Sequence, residues 1–129
     1  MLSERAQQIL RSKAMGHLAV VDEHGRPHVT PLWVDVEQDG TLWFNTAVGR
    51  IKDRHLPIGA HLALSATDLD NPYEYVQVRG TVVDRRLENG DSDIDRLAKK
   101  YLDADAYPFR KEGEQRVTII VEPYATTGV

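Results

Sequence analysis

Between Trp43 and Arg54 an apolar run gives way to a cluster of charge: Trp43-Phe44-Asn45-Thr46-Ala47-Val48-Gly49-Arg50-Ile51-Lys52-Asp53-Arg54. A strand that ends in amide, hydroxyl and glycine residues and then releases cations into a helix start can grip an oxyanion such as a phosphate. Backbone N–H groups at a helix N-terminus are unpaired and carry the positive end of the helix dipole. Arg50 and Lys52 lie about 200° apart around an ideal helix, so both can serve one anion only if the chain is still an irregular turn at Arg50. Gly49 permits that turn, and Thr46 could donate its hydroxyl to the same anion. The competing reading is a surface helix whose cations are simply solvated.

Two other segments could contribute. In His28-Val29-Thr30-Pro31-Leu32-Trp33 the proline has no ladder donor, so Pro31 implies an edge, a bulge or a place where the strand faces something other than another strand. A planar ligand could lie there, with Trp33 as a wall, although a buried tryptophan also serves as core or subunit interface. In Asn71-Pro72-Tyr73-Glu74-Tyr75 the tyrosines could flank a ring system, and Arg79 could meet a carboxylate or phosphate; the alternative is a turn with two half-buried tyrosines. The five histidines, at 17, 24, 28, 55 and 61, form no H-x-H pair, and no metal site is expected. There is no G-x-S-x-G elbow, P-loop or G-x-G-x-x-G fingerprint to support acyl transfer, nucleotide hydrolysis or a Rossmann dehydrogenase.

These residues must be positioned by a chain of 129 residues, enough for one domain spanning 1–129. A net charge of −4 argues against general nucleic-acid binding, which needs a basic surface. With no cysteine, disulfides, thiolate metal sites and cysteine nucleophiles are excluded together. No apolar run approaches a signal or membrane-spanning length, so a cytoplasmic location without membrane association is expected.

The spacing of Ala6, Ile9 and Leu10 predicts a helix over residues 3–14, capped by Ser3 and ended by Gly16. The period then changes to two. Strands are expected at 18–21, 28–36, 41–45, 61–67, 75–87 and 116–122, with a short helix after Gly49 that Pro57 and Gly59 stop. Val76, Val78 and Val82 share one face of the fifth strand, while Tyr75, Gln77, Arg79 and Thr81 share the other. A second helix should begin near Ser92 with Asp95 completing a capping-box variant, and its stripe Ile94, Leu97, Ala98 and Tyr101 should lie against the sheet. Pro123 is expected to close the last strand. Six short strands with turn connections predict a mainly β fold, an antiparallel barrel closed or nearly closed to remove exposed edges.

The order of Gly16-His17-Leu18-Ala19-Val20-Val21, Gly25-Arg26-Pro27-His28-Val29, Pro31-Leu32-Trp33, Phe44-Asn45-Thr46 and Gly49-Arg50-Ile51-Lys52 carries a resemblance, completed by Asn71-Pro72-Tyr73, Val78-Arg79-Gly80, Ile94-Asp95-Arg96-Leu97-Ala98 and Tyr107-Pro108. Over nearly its whole length the chain resembles the pyridoxamine-5′-phosphate-oxidase-like superfamily of split β-barrels, and within it the deazaflavin (coenzyme F420)-dependent oxidoreductases. The resemblance implies a six-stranded FMN-binding split barrel and a homodimer with cofactor sites at the interface. It implies hydride transfer between reduced F420 and a small unsaturated or conjugated substrate, with no catalytic acid or base assigned. Thr46, Arg50 and Lys52 would hold the cofactor phosphate, with Gly49 and Ile51 in the same binding segment. Pro31 and Trp33 would line the ring, and Tyr73 and Arg79 would come from the opposite subunit. His55 stands where many relatives carry asparagine. FMN in place of F420, in an oxidoreductase or oxidase, and a non-catalytic F420 or FMN carrier are the alternatives.

Overall fold

The computed structural model describes residues 2–129. Three helices, α1 (Glu4–Arg11), α2 (Ile51–Arg54) and α3 (Gly90–Leu102), accompany seven strands: β1 (Gly16–Val21), β2 (Pro27–Leu32), β3 (Asp35–Val36), β4 (Leu42–Ala47), β5 (His61–Thr67), β6 (Tyr75–Arg86) and β7 (Arg116–Gly128). All strands belong to one antiparallel sheet in the order β2-β1-β5-β6-β7-β4-β3. The mainly β class and the split-barrel architecture are as expected.

The strand count is seven rather than six because the run expected over 28–36 is broken. β2 pairs with β1 at one edge of the sheet and β3 pairs with β4 at the other, so Trp33 and Val34 carry the chain from edge to edge. The backbone of Val34, freed from any ladder, is satisfied by α3. Its N–H donates to the Tyr101 hydroxyl at 3.2 Å, and its carbonyl accepts from Lys100 Nζ at 2.5 Å. Lys100 also donates to the Leu10 carbonyl and Tyr101 to the Ala14 carbonyl, so two side chains tie α1, the crossing and α3 together. Burial pushes the Lys100 ammonium down to about 8 and the Tyr101 phenol up to about 12.

Alternation sorts the side chains. Inside the barrel, α1 contributes Ala6, Ile9 and Leu10, and the strands contribute Leu18, Val20, Leu42, Phe44, Leu62, Leu64, Val76, Val78, Val82, Ile119 and Val121. Outside it, α3 lays Ile94 and Leu97 against Trp43 and Ile120, with Tyr101 packed alongside. The predicted stripes of both long helices are therefore buried as expected.

Several boundaries differ from expectation, each for a local reason. Ser3 does cap α1, accepting the Ala6 amide at 3.0 Å, but Ser12 rather than Gly16 ends it, donating its hydroxyl to the Ile9 carbonyl at 2.6 Å. Gly16 opens β1 instead. α3 starts at Gly90 under an Asn89 cap, and Ser92 donates to the Asn89 carbonyl rather than capping. Asp95 plays no part in that helix start; it accepts from the Tyr107 amide and from Arg110. Pro123 does not close β7, which runs on to Gly128. A register shift between Arg79 and Gly80 accommodates the missing N–H, with Pro123 opposite Gly80. Only glycine fits there, because a Cβ would sit 2.9 Å from the Glu122 carbonyl oxygen. None of the described helices is long and apolar enough to cross a membrane.

Candidate functional site

The anion grip turns on Gly49, whose φ of +96° is a left-handed conformation that β-carbons disfavour. Arg50 follows with φ −74° and ψ 165°, an extended residue at the cap of α2. The chain is thus not yet helical at Arg50, the condition under which Arg50 and Lys52 can serve one anion. Both side chains line the same cleft, together with Pro31, Trp33 and Arg116. The helix itself is a single turn, shorter than expected, so its dipole adds little and the grip rests on side chains.

A second network fixes that turn. Asp53 accepts the Gly49 amide through Oδ2 at 2.7 Å and pairs with Arg85 through Oδ1. Arg85, from β6, also donates to the Leu56 carbonyl at 2.8 Å, holding the end of α2. Lys52, by contrast, makes no hydrogen bond or ion pair among the described residues. Burial pushes its ammonium below the ordinary lysine range, and the neighbouring charges of Arg50 and Arg116 push the same way.

Arg116 is the cation that the sequence did not reveal. It opens β7 and is only 5% exposed, yet it lines the cleft. Its Nε donates to Asn45 Oδ1 at 2.8 Å, one of its terminal nitrogens donates to Glu114 at 3.1 Å, and its guanidinium lies 5.2 Å from the centre of the Tyr107 ring. Behind it, Asn45 donates to Thr118 Oγ1 at 3.2 Å, and Thr118 donates to Asp93 at 2.7 Å. Arg116 is therefore held from several sides before any ligand arrives. Its position is 66 residues from Arg50, and no local spacing links the two.

The cleft is open to solvent, with a cavity volume of about 210 Å³. Its apolar side is aromatic: Trp33 stacks on Tyr101 at 5.4 Å and 8°, and meets Tyr107 edge-on at 6.0 Å. Phe109 lies edge-on to Tyr107 and also lines the cleft. The loop carrying both rings is anchored through the Tyr107 amide and Arg110, which donate to Asp95 at 2.8 and 2.7 Å. Cations and aromatic rings in one cleft suit an anion attached to a flat, conjugated body.

Of the residues singled out in the sequence, Pro31, Trp33, Arg50 and Lys52 come together in this cleft. Gly49 and Ile51 lie with Arg50 and Lys52 in an adjoining hollow of about 400 Å³, which also takes in His28 and Thr30. Thr46 lines neither. Alternation along β4 turns it to the face of Leu42 and Phe44, where its hydroxyl is buried without a partner. Tyr73, 89% exposed at the turn before β6, and Arg79, on the outer face of β6 opposite Ala63, also lie away from the cleft. His24 and His28 are four residues apart, but a turn and a strand carry them, and His28 is hydrogen-bonded to Asp22 at 2.9 Å. Among the described residues no group of three potential ligands could hold a metal ion.

Comparison with known proteins places this geometry in a family. Residues 2–126 match the pyridoxamine 5′-phosphate oxidase family. A solved F420 reductase is 30% identical, with each chain covered to 98% and a TM-score of 0.84. The fold also matches an FAD-binding protein from Mycobacterium smegmatis at 21% identity and a TM-score of 0.66, covering 100% of this chain and 94% of that one. Group A Streptococcus HupZ matches at 16% identity and a TM-score of 0.67, with coverage of 100% and 94%. No curated protein matches the sequence.

Proposed function

The chain belongs to the pyridoxamine 5′-phosphate oxidase family, and from that premise we propose that it is a deazaflavin-dependent oxidoreductase, using coenzyme F420 to exchange a hydride with a small unsaturated or conjugated molecule. Family and fold support a flavin-type cofactor, and the similarity to an F420 reductase favours the deazaflavin. The observation that carries the reading is the half-buried Lys52, without an acidic partner, between Arg50 and Arg116. Arg50 and Arg116 share one carboxylate, Glu114, and the excess positive charge of the three cations is what a bound phosphate would neutralise.

Reduced deazaflavin, when bound, supplies the hydride. The protein's part is to bind and position. Arg50, Lys52 and Arg116 hold the phosphate, Gly49 and Ile51 shape the turn that presents it, and Pro31 and Trp33 bound the ring with Tyr107 and Phe109. The aromatic side keeps water from one flank of the ring, and no side chain is required as an acid or base. A second copy of the chain completes the site, contributing Tyr73 and Arg79. The outer sheet face supports that arrangement: Val29, Ala19, Ala63, Arg79 and Ala125 form one row across five strands, and none belongs to either core cluster. The three alanines of that row let another surface approach the sheet closely, beside Arg79.

Titration with F420 and with FMN, followed by quenching of tryptophan fluorescence, tests the proposal. Tight F420 binding with negligible FMN binding is expected, whereas a yellow protein purified with FMN would overturn the deazaflavin assignment. Oxidation of reduced F420 by members of a panel of enones and quinones is the expected turnover; saturable binding with no turnover on any of them would make the protein a carrier.

A further inference from the structure

Glu114 stands behind the cation cluster and touches two of its members. One carboxylate oxygen accepts from Arg50 at 3.4 Å and the other from Arg116 at 3.1 Å, and the side chain is 10% exposed. It does not line the cleft in which Lys52, Arg50 and Arg116 meet. Lys52 has no such acid. One side of the anion site is therefore partly neutralised in advance, and two guanidinium donors are already engaged.

This geometry has a consequence for the charge of the ligand. A phosphate monoester such as FMN is close to doubly charged at neutral pH, because its second ionisation falls near pH 6. A phosphodiester, as in F420, carries a single charge. A fixed carboxylate behind the site repels the extra charge of the monoester, and it withholds donors that a third terminal oxygen would use. At the effective dielectric of a protein surface, with partial screening by solvent, an extra unit charge beyond the two arginines changes binding about tenfold, or about 1.4 kcal/mol.

Building on the phosphate site proposed above, we infer that Glu114 is a specificity-determining residue, one that biases the site towards singly charged phosphodiesters and against phosphate monoesters. It acts through Arg50 and Arg116, without contact to the ligand. Its effect is a preference between ligands, and loss of the carboxylate charge shifts that preference while the guanidinium groups keep a hydrogen-bonding neighbour.

The test compares dissociation constants of F420, FMN and the phosphate methyl ester of FMN for the wild type, Glu114→Gln, Glu114→Asp and Lys52→Ala, each checked for a folded state by thermal melting. FMN and its methyl ester share one ring system and differ in one ionisable oxygen, so their ratio isolates the phosphate charge. The glutamine variant should improve FMN relative to both its methyl ester and F420 by about tenfold, while the aspartate variant, which keeps the charge, stays near the wild-type ratio. Equal changes for all three ligands, or none, in a folded glutamine variant would overturn the inference. If Glu114→Gln does not fold, the aspartate variant and the salt dependence of the wild-type ratio of FMN to its methyl ester decide. Screening should narrow the disadvantage of FMN, and a ratio that ignores salt overturns the inference. The underlying site has its own control. If Lys52→Ala leaves every affinity unchanged, the phosphate site is wrong and the inference falls with it; if Lys52→Ala weakens all three ligands and the glutamine ratio does not move, only the role of Glu114 fails.

Discussion

Lys52 is the side chain on which the proposed phosphate site most depends, because its charge is partly desolvated and has no partner among the described residues. Lys52→Ala should weaken F420 binding by about 1–3 kcal/mol, the scale of a charge-assisted hydrogen bond, with little change in melting temperature. The pH dependence has a definite sign. An ammonium attracts the anion below its pKa and loses that attraction as pH rises through it; burial lowers this pKa, so affinity should begin to fall at a lower pH than for an ordinary lysine. The alanine variant should lack that component of the alkaline loss, and parallel titrations across the alkaline range would show whether it does. At this scale the sequence was partly legible. Arg50 and Lys52 share a dense local motif, and both line one cleft. Arg116 and Glu114 were missed because only strand pairing brings them near, through Ala47 opposite Arg116. Thr46 was in the right motif but on the wrong face, and a single step of alternation decides that.

Among the elements, the turn leading into α2 is the one whose shape matters most. Gly49 holds φ +96°, and a Cβ there would meet nothing within 4 Å, so Gly49→Ala would act through backbone conformation alone. A loss of about 1–2 kcal/mol in stability is expected by chemical denaturation, with weakened F420 binding as the turn shifts Arg50 towards a regular helix. Unchanged affinity in that variant would mean that the extended Arg50 is incidental. The strands were legible where alternation is clean, as in β5, whose limits coincide with those expected. They were illegible at Trp33-Val34, where an extended chain passes from one ladder to another without any change in local pattern. Only the distant hydrogen bonds from Lys100 and Tyr101 mark that crossing.

For the whole molecule, the uncovered row across five strands, with alanine at three of its five positions, predicts a second copy. Light scattering should return twice the 14.6 kDa chain mass, and Ala63→Arg, which puts a bulky charge in the middle of that face, should yield monomer and lose cofactor affinity together. A wild type that runs as a monomer at micromolar concentration would remove the role proposed for Tyr73 and Arg79. The place of β7 in the sheet order has a consequence in time. It follows every other strand along the chain, yet it lies between β6 and β4. While a chain is being made, β6 has one bare edge and β4 has only the two-residue β3 beside it, until β7 joins strands far apart in sequence, a slow kind of pairing. Arg116 is the first residue of that closing strand, so an emerging chain presents Arg50 and Lys52 before it can offer the completed grip. Ligand that recognises the closed form alone then draws the last step forward by mass action, and cofactor supply would set the yield of folded protein as well as its activity.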